Sequence, residues 1–177
     1  MPLDYENLDE RTRQFMLQEL DLDVSRESLY MSPRLNERGA ENYPSLLRVA
    51  LGRHDDAWLA DELRRGGCLE AFEQRKTRGG GFTTAKVTVT APETLAEGEF
   101  NRFYVRGLCA RAIEEGITEV EVYRGKRVKQ PRPESQAKIG KMIPAKALLE
   151  DLRESPGVEP ALGLPPGPNS GLTIRLP

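Results

Sequence analysis

The sequence predicts an α+β protein with N-terminal helices, a central β-α-β core that contains a small sheet, and an extended C-terminal arm. Three observations predict this fold class. Residues 82–90 alternate apolar and polar side chains, and residues 118–123 do so again, as strands with one buried face do. Between them, residues 92–115 carry apolar side chains at helical spacing on more than one face, and Gly116 ends the helix. Residues 155–177 are rich in proline and glycine, a composition that cannot build a core alone.

A chain of 177 residues suits one domain with attached arms. We divide it into an N-terminal helical region at 1–78, the β-α-β core at 79–154 and the C-terminal arm at 155–177. Two strands joined through a helix most often pair in parallel with a right-handed crossover. We therefore expect strands 82–90 and 118–123 to be parallel neighbours.

The expected helices have recognisable starts. Asn7 caps the first helix and Asp55 or Asp56 caps another, because these side chains accept hydrogen bonds from unpaired backbone N–H groups. Pro44 and Pro144 each stand at the first position of a helix, where the missing N–H of proline costs nothing.

The segments between the helices contain fewer signals. Within SLYMSPRL, which begins at Ser28, a candidate edge strand ends at Pro33, and residues 138–143 are a candidate third core strand. RKTRGGG at 75–81 is predicted to be a hinge or exposed loop, because three consecutive glycines maximise backbone freedom. These glycines lack the spacing of a phosphate-binding loop and precede a strand, so we do not expect them to hold a phosphate.

Charge is unevenly distributed along the chain, although the net charge is only −2. Residues 1–30 contain eight acidic residues and three arginines, whereas residues 124–141 contain seven basic residues and Glu134. Opposed poles suit head-to-tail self-assembly, or the docking of a basic patch on an acidic partner. Two ordinary solvated surfaces would give the same pattern.

No residue pattern indicates an enzyme, a cofactor or a metal site. His54 is the sole histidine, and its neighbours Asp55 and Asp56 are better explained as helix caps than as catalytic partners. Cys68 and Cys109 are the only cysteines, which implies no disulfide framework and favours a reducing compartment. No apolar run reaches the roughly 18 residues of a membrane span, and the acidic N-terminus does not resemble a signal peptide. We expect a soluble protein that is in the cytoplasm when it is made.

Two segments are candidate partner-binding sites. The first is the basic segment, residues 124–141, whose candidate contacts are Arg124, Lys126, Arg127, Lys129 and Arg132. The second is the end of the chain, SGLTIRLP, which is suited to adding a strand to a neighbour's sheet through Leu172, Ile174 and Leu176.

The basic segment also permits a different partner, nucleic acid. Its cations, with Arg102 and Arg106 of the long helix, can follow a phosphate backbone, and Phe103 and Tyr123 can stack on bases. An ordinary salt-bridged helix face would also explain the two arginines, which lie near Glu99.

Three segments, LDERTRQFMLQEL, EFNRFYVRGLCARAIEEG and GLPPGPNSGL, resemble a poorly characterised family associated with tailed bacteriophages and prophages. The resemblance spans most of the chain and implies a small, non-enzymatic structural protein of the virion, on the capsid or at the head–tail junction. Its implied partners are further copies of itself or other virion proteins, with no small-molecule substrate. The alternative function is a nucleic-acid-binding accessory or regulatory protein that uses residues 124–141. An enzyme ranks third, because its acid, base or nucleophile would have to come from scattered Asp, Glu or Tyr residues.

Overall fold

A computed structural model describes residues 3–157, 160–164 and 170–177. These residues form an α+β fold, which confirms the predicted class. The helices are α1 (Glu10–Ser25), α2 (Glu37–Arg53), α3 (Asp56–Arg65), α4 (Ala91–Glu114), α5 (Pro133–Gln136) and α6 (Ala145–Glu154). The strands are β1 (Phe72–Lys76), β2 (Phe82–Lys86), β3 (Glu119–Arg124), β4 (Met142–Pro144) and β5 (Leu172–Arg175).

Helix α4 lies at the centre of the molecule. It packs against α1, α3 and α6, and also touches α2, β3 and β5. Its large side chains, among them Phe100, Phe103, Tyr104 and Leu108, are fully buried. A helix with apolar residues on several faces has to be covered on several faces, so the predicted pattern is explained by this central position.

The contact between α1 and α4 depends on a glycine. A Cβ atom at Gly107 would lie 2.6 Å from Cγ of Met16 and 2.8 Å from the backbone nitrogen of Met16. Carbon atoms normally keep at least about 3.5 Å apart at van der Waals contact. The close approach of the two helices therefore requires the absence of a side chain at this position.

The larger sheet has the strand order β4-β3-β5, and both strand pairs are antiparallel. Val120 is paired with Ile143 and Val122 with Ile174. The parallel pairing of strands 82–90 and 118–123 was therefore wrong, because β4 and β5 occupy both edges of β3. The sheet packs against α4, where Asn101 Nδ2 donates to the carbonyl oxygen of Leu172 at 2.8 Å.

The other sheet is a hairpin of β1 and β2, which are antiparallel neighbours. Its turn, residues 77–81, contains Gly80 at φ +84°, a conformation that favours glycine. RKTRGGG is thus not a hinge, since Arg75 and Lys76 are strand residues. The alternative prediction, an exposed loop, is correct for residues 77–81, where the glycines close the turn. Closing a short local turn costs less chain entropy than a crossover through a helix, which is why β2 pairs with β1. The strand ends at Lys86, and Val89 is 88% exposed, so the predicted alternation over 82–90 does not bury one face throughout.

Helix starts were predicted only in part. Asp9, and not Asn7, caps α1 by accepting from the N–H of Thr12 at 2.9 Å, while Asn7 Oδ1 accepts from the N–H of Leu176. Asp55 caps α3, as predicted.

Helix α2 begins earlier than predicted. Asn36 caps it by accepting from the N–H of Gly39 at 2.8 Å, and Pro44 lies inside the helix. The candidate edge strand that was to end at Pro33 is not formed, and Leu35, just beyond it, makes an isolated bridge with Leu69. The third core strand is β4, which is shifted towards Pro144, and α6 follows it directly.

One hydrophobic core joins residues from all three predicted segments, from Leu3 to Ile174. The proposed boundary after residue 78 falls within the turn of the hairpin. The N-terminal residues belong to this core, because the N–H of Asp4 donates to the carbonyl of Gly125 at 2.8 Å and Leu3 and Tyr5 are buried. Over the ranges that the structure describes, no helix combines the length and the apolar character needed to cross a membrane.

Candidate interaction surfaces

The basic segment, residues 124–141, connects β3 to β4 and includes α5. Two of its predicted contact residues bind within the chain. Lys126 forms an ion pair with Glu97 of α4, and Arg124 Nη1 donates to Gln136 Oε1 at 2.9 Å. These two side chains help to hold the segment on the body of the protein.

The other cations of the basic segment face solvent. Arg127, Lys129, Arg132 and Lys141 are exposed, and none of them forms an ion pair with a residue that the structure describes. Lys138 differs, because its Nζ donates to the carbonyl of Gly163 at 2.5 Å. The segment thus presents four exposed cations that have no ion pair with a described residue.

The arginines of α4 are not part of that surface. Arg106 is only 1% exposed and binds two carboxylates of α1. Its Nε lies 3.0 Å from Glu19 Oε2, and its Nη1 lies 2.6 Å from Asp23 Oδ2. Phe103 lies under the same guanidinium and is also buried. The interpretations of Arg106 as a phosphate contact and of Phe103 as a base-stacking residue were therefore wrong. The alternative, in which the two arginines belong to salt bridges, is correct, although the face is buried and Arg106 pairs with α1 instead of Glu99.

Arg102 and Tyr123, the other candidates for nucleic-acid contacts outside the basic segment, also form hydrogen bonds within the chain. Arg102 is buried and its Nη1 donates to the carbonyl of Ser155. The hydroxyl of Tyr123 donates to the carbonyl of Asp4 at 2.6 Å and accepts from the N–H of Glu6 at 2.9 Å. Neither side chain is available to a ligand.

Two buried glutamates near Arg106, Glu19 and Glu99, have pKa values that are shifted in opposite directions. Burial by itself would raise the pKa of Glu19, but hydrogen bonds from Arg153 and Arg106 lower it below its usual value. Glu99 is fully enclosed, and its burial raises its pKa to about 7, although the guanidinium of Arg102 opposes the shift. Glu19 is thus held as a carboxylate, while Glu99 gains a proton more readily than an exposed glutamate.

The acidic pole predicted at residues 1–30 is largely neutralised within the chain. Five of its eight carboxylates form ion pairs with arginines. The five are Glu6, Asp9, Glu19, Asp21 and Asp23. Asp4, Glu10 and Glu27 are the members without an ion pair among the described residues. Opposed charged poles therefore give little support to head-to-tail self-assembly.

The C-terminal residues predicted to bind a partner bind the chain itself. Leu172 and Ile174 are fully buried as part of β5, and Leu176 packs against the same core. The strand character of this segment is confirmed, but its neighbour is β3 of the same chain. Removing this segment would take Leu172 and Ile174 out of the core, so a chain without residues 156–177 is expected to lose stability.

The residues with potential reactivity are explained by packing. The His54 ring is stacked on Trp58 with the ring centroids 4.3 Å apart. Cys68 and Cys109 are buried free thiols, and burial raises the pKa of both, which disfavours the nucleophilic thiolate. Within the described ranges, no group of three or more His, Cys, Asp or Glu side chains is placed to hold a metal ion.

A surface that the sequence did not predict is the outer face of the β1–β2 hairpin. Residues directly opposite each other in an antiparallel pair share a face. The outer face therefore contains the pairs Phe72–Lys86, Gln74–Thr84 and Lys76–Phe82. Phe72 is 56% exposed and Phe82 66% exposed.

The opposite face of the hairpin is turned towards the body. Glu73 and Ala85 on that face are half-buried, and Glu73 accepts from Arg34 Nε at 2.6 Å. Beyond each other, neither strand has a substantial contact with another described element. The sequence feature that could have revealed the hairpin is the glycine run between FEQRK and FTTAK, two segments that both begin with phenylalanine.

Comparison with protein-family models, with curated proteins and with solved structures found no match for this chain.

Proposed function

We propose that this chain is a non-enzymatic structural protein of a tailed-phage particle, associated with the capsid or with the head–tail junction. The assignment to a virion is supported by the resemblance of LDERTRQFMLQEL, EFNRFYVRGLCARAIEEG and GLPPGPNSGL to phage and prophage proteins. A role in assembly is supported by one observation, the cluster of unneutralised cations on the basic segment.

The docking surface in this proposal is formed by Arg127, Lys129 and Arg132, with Lys141 at the far end of the same segment. Exposed charges at the rim of an interface accelerate association and select partners of opposite charge. The partner is therefore an acidic surface of another virion protein or of a second copy. The C-terminal strand does not take part, because β5 completes the chain's own sheet.

The test is incorporation of the protein into particles. Particles from an induced lysate of the phage-carrying host, purified on a density gradient, are expected to contain the chain at a fixed ratio to the major capsid protein. The triple variant Arg127→Gln, Lys129→Gln and Arg132→Gln is expected to lower the copies per particle about tenfold, since loss of about 1.4 kcal/mol gives that factor. An immunoblot of gradient fractions measures the ratio.

The matched control removes the same charge elsewhere. Arg26, Arg38 and Arg53 are exposed and have no ion pair with any described residue. Their replacement by glutamine is expected to leave incorporation unchanged. Normal incorporation of the first variant, or absence of the wild-type chain from particles, contradicts the proposal.

A second candidate function is a nucleic-acid-binding accessory or regulatory protein that uses the same basic segment. The favouring observation is that its four exposed cations are accompanied in sequence by one acid, Glu134. Replacing three of these cations is then expected to reduce the salt slope of duplex binding by roughly 2.7, at about 0.9 per phosphate contact. Loss of duplex binding with normal incorporation into particles would favour this function over the first.

A further inference from the structure

We propose that the outer face of the β1–β2 hairpin binds single-stranded nucleic acid. The inference rests on the hairpin geometry alone and does not depend on the proposed function. It concerns different residues from the basic segment, namely Phe72, Lys76, Phe82 and Lys86.

The side chains of the outer face of the hairpin are of the kinds that bind single strands. Two exposed phenyl rings and two lysines alternate across the strands, with Gln74 and Thr84 between them. Proteins that bind single strands combine aromatic side chains, on which bases stack, with cations that follow the backbone. Both components are present here on one surface.

The outer face of the hairpin also lacks negative charge that would neutralise its lysines. The outer face contains no carboxylate, since Glu73, the acid of the hairpin, lies on the inner face between Arg34 and Arg75. Lys76 and Lys86 have no ion pair with a described residue. Their charges therefore remain available to a polyanion.

The charge of the outer face disfavours a second copy bound face to face. Such a symmetric contact would enclose the Lys76 and Lys86 side chains of both copies in an interface to which the outer faces contribute no carboxylate. Like charges directly opposite each other are unfavourable, and burying them unpaired is more so. A negatively charged ligand with flat apolar groups suits the surface better.

The spacing of the rings favours an extended single strand over a duplex. Phe72 and Phe82 lie at opposite ends of the face, and four residues of strand at roughly 3.3 Å each separate them by about 13 Å. This is several times the rise of about 3.4 Å between stacked bases in a duplex. Bases in a duplex are also already stacked, so the rings could contact them only after costly unstacking.

The hairpin is built to present this face without disturbing the core. Its inner face is anchored by the bidentate contact of Arg34 with Glu73, at 2.6 Å and 3.2 Å. The N–H of Val87 donates to the carbonyl of Ala71 at 3.0 Å and extends the pairing towards α4. Because both phenylalanines are mostly exposed and the hairpin has no substantial contact with another described element, we expect that they can be replaced without unfolding the protein.

The test is binding of a fluorescein-labelled oligothymidylate of about 12 nucleotides, within the usual range of site sizes, followed by anisotropy. An oligouridylate of the same length and a duplex are the comparison probes. The wild-type chain is expected to bind both single strands at least tenfold more tightly than the duplex. The ratio of the two single-strand affinities distinguishes DNA from RNA as the preferred ligand.

Two variants locate the site. Phe72→Ser with Phe82→Ser is expected to weaken binding about a hundredfold, since each stacked base contributes about tenfold. Lys76→Gln with Lys86→Gln is expected to reduce the salt slope by roughly 1.4, at about 0.7 per phosphate contact on single strands. Phe72→Trp is expected to retain binding and to show fluorescence quenching that Trp58, the single native tryptophan, does not show.

Control variants show whether binding is specific to this face. Val24→Ser with Ile113→Ser removes two exposed apolar side chains from α1 and α4 and is expected to leave affinity unchanged. The triple glutamine variant of the basic segment is expected to retain the preference for single strands. The proposal is overturned if the duplex binds equally well, or if the basic-segment variant alone abolishes binding. It is also overturned if the phenylalanine variant changes only self-association, measured by size-exclusion chromatography with light scattering.

Discussion

The body around α4 and the β1–β2 hairpin use charged residues in opposite ways. In the body, Arg106 is buried against Glu19 and Asp23, and its charge is satisfied by neighbours that the fold supplies. In the hairpin, Lys76 and Lys86 are exposed beside two phenylalanines and have no ion pair with a described residue. A basic residue in this chain can therefore be a structural element or a contact for a ligand, and its surroundings determine which.

The energetic consequences differ accordingly. Removing one member of a buried ion pair leaves an uncompensated charge in the interior, which is strongly destabilising. Removing an exposed residue from a self-contained hairpin changes little in the folded body. Substitutions in the two regions test this contrast, and those in the buried network are expected to have the larger effects.

Arg106→Met is expected to lower the free energy of unfolding by about 3–5 kcal/mol, because Asp23 would lose its guanidinium partner inside the protein. Urea denaturation followed by circular dichroism measures the change. Combining Arg106→Met with Glu19→Gln and Asp23→Asn removes the stranded charges and is expected to recover part of the loss. A change below about 1 kcal/mol for the single variant would show that the network contributes little.

The buried carboxyl of Glu99 predicts a pH dependence. Its pKa rises from 4.5 to about 7 on folding, so the folded state binds more protons than the unfolded state between these values. The contribution of this group to stability is then present below pH 4.5 and is lost as the pH rises through about 7.

Glu99→Gln is expected to remove that loss, which is on the order of 3 kcal/mol across the window. The difference in unfolding free energy between wild type and variant, measured at several pH values, isolates Glu99 from Glu19, whose lowered pKa acts in the opposite sense. Parallel pH profiles for the two proteins would contradict the assignment.

Two glycines of α4 provide a matched pair. Gly107→Ala is expected to cost about 2 kcal/mol, because the new methyl group would meet Met16 where the helices cross. Gly98→Ala has open space around it and is expected to stabilise the helix by up to about 1 kcal/mol. Thermal unfolding of both variants, compared with the wild type, gives the two signs; equal effects would mean that the crossing is not tightly packed.

The smallest effect is expected in the hairpin. Phe72→Ser with Phe82→Ser should change the free energy of unfolding by less than about 0.5 kcal/mol, since both rings are mostly exposed. Calorimetry of the full chain provides the comparison. A loss as large as that of Arg106→Met would show that the rings are part of the core and would remove the contrast between the two regions.

Features that depend on neighbouring residues could be predicted from the sequence, whereas features that depend on distant residues could not. The α+β class, the cap at Asp55 and the long apolar helix were predicted because caps and side-chain periodicity are read from neighbouring residues. The strand character of LTIR was predicted on the same basis. What could not be read was which strand it would join, since β3 lies about 50 residues away in the chain and more than one pairing satisfies the same pattern.

The candidate surfaces divide in the same way. Sequence identified Arg127, Lys129 and Arg132 as cations, but could not show that Arg124 and Lys126 of the same segment are bound to Gln136 and Glu97. It also missed the outer face of the hairpin, because the alternation at residues 82–90 was interpreted as a strand of the core and its partner strand β1 was not predicted.

The local features of this protein follow from its amino-acid sequence alone: an apolar helix, short alternating strands, a glycine-rich turn and an uneven distribution of charge. Two features became visible in the tertiary structure alone. The C-terminal strand completes the chain's own sheet, and most N-terminal carboxylates form ion pairs with arginines of the same chain. The physical reason is that hydrogen bonds and periodicity act between near neighbours, whereas burial and ion pairing depend on residues brought together by the whole fold.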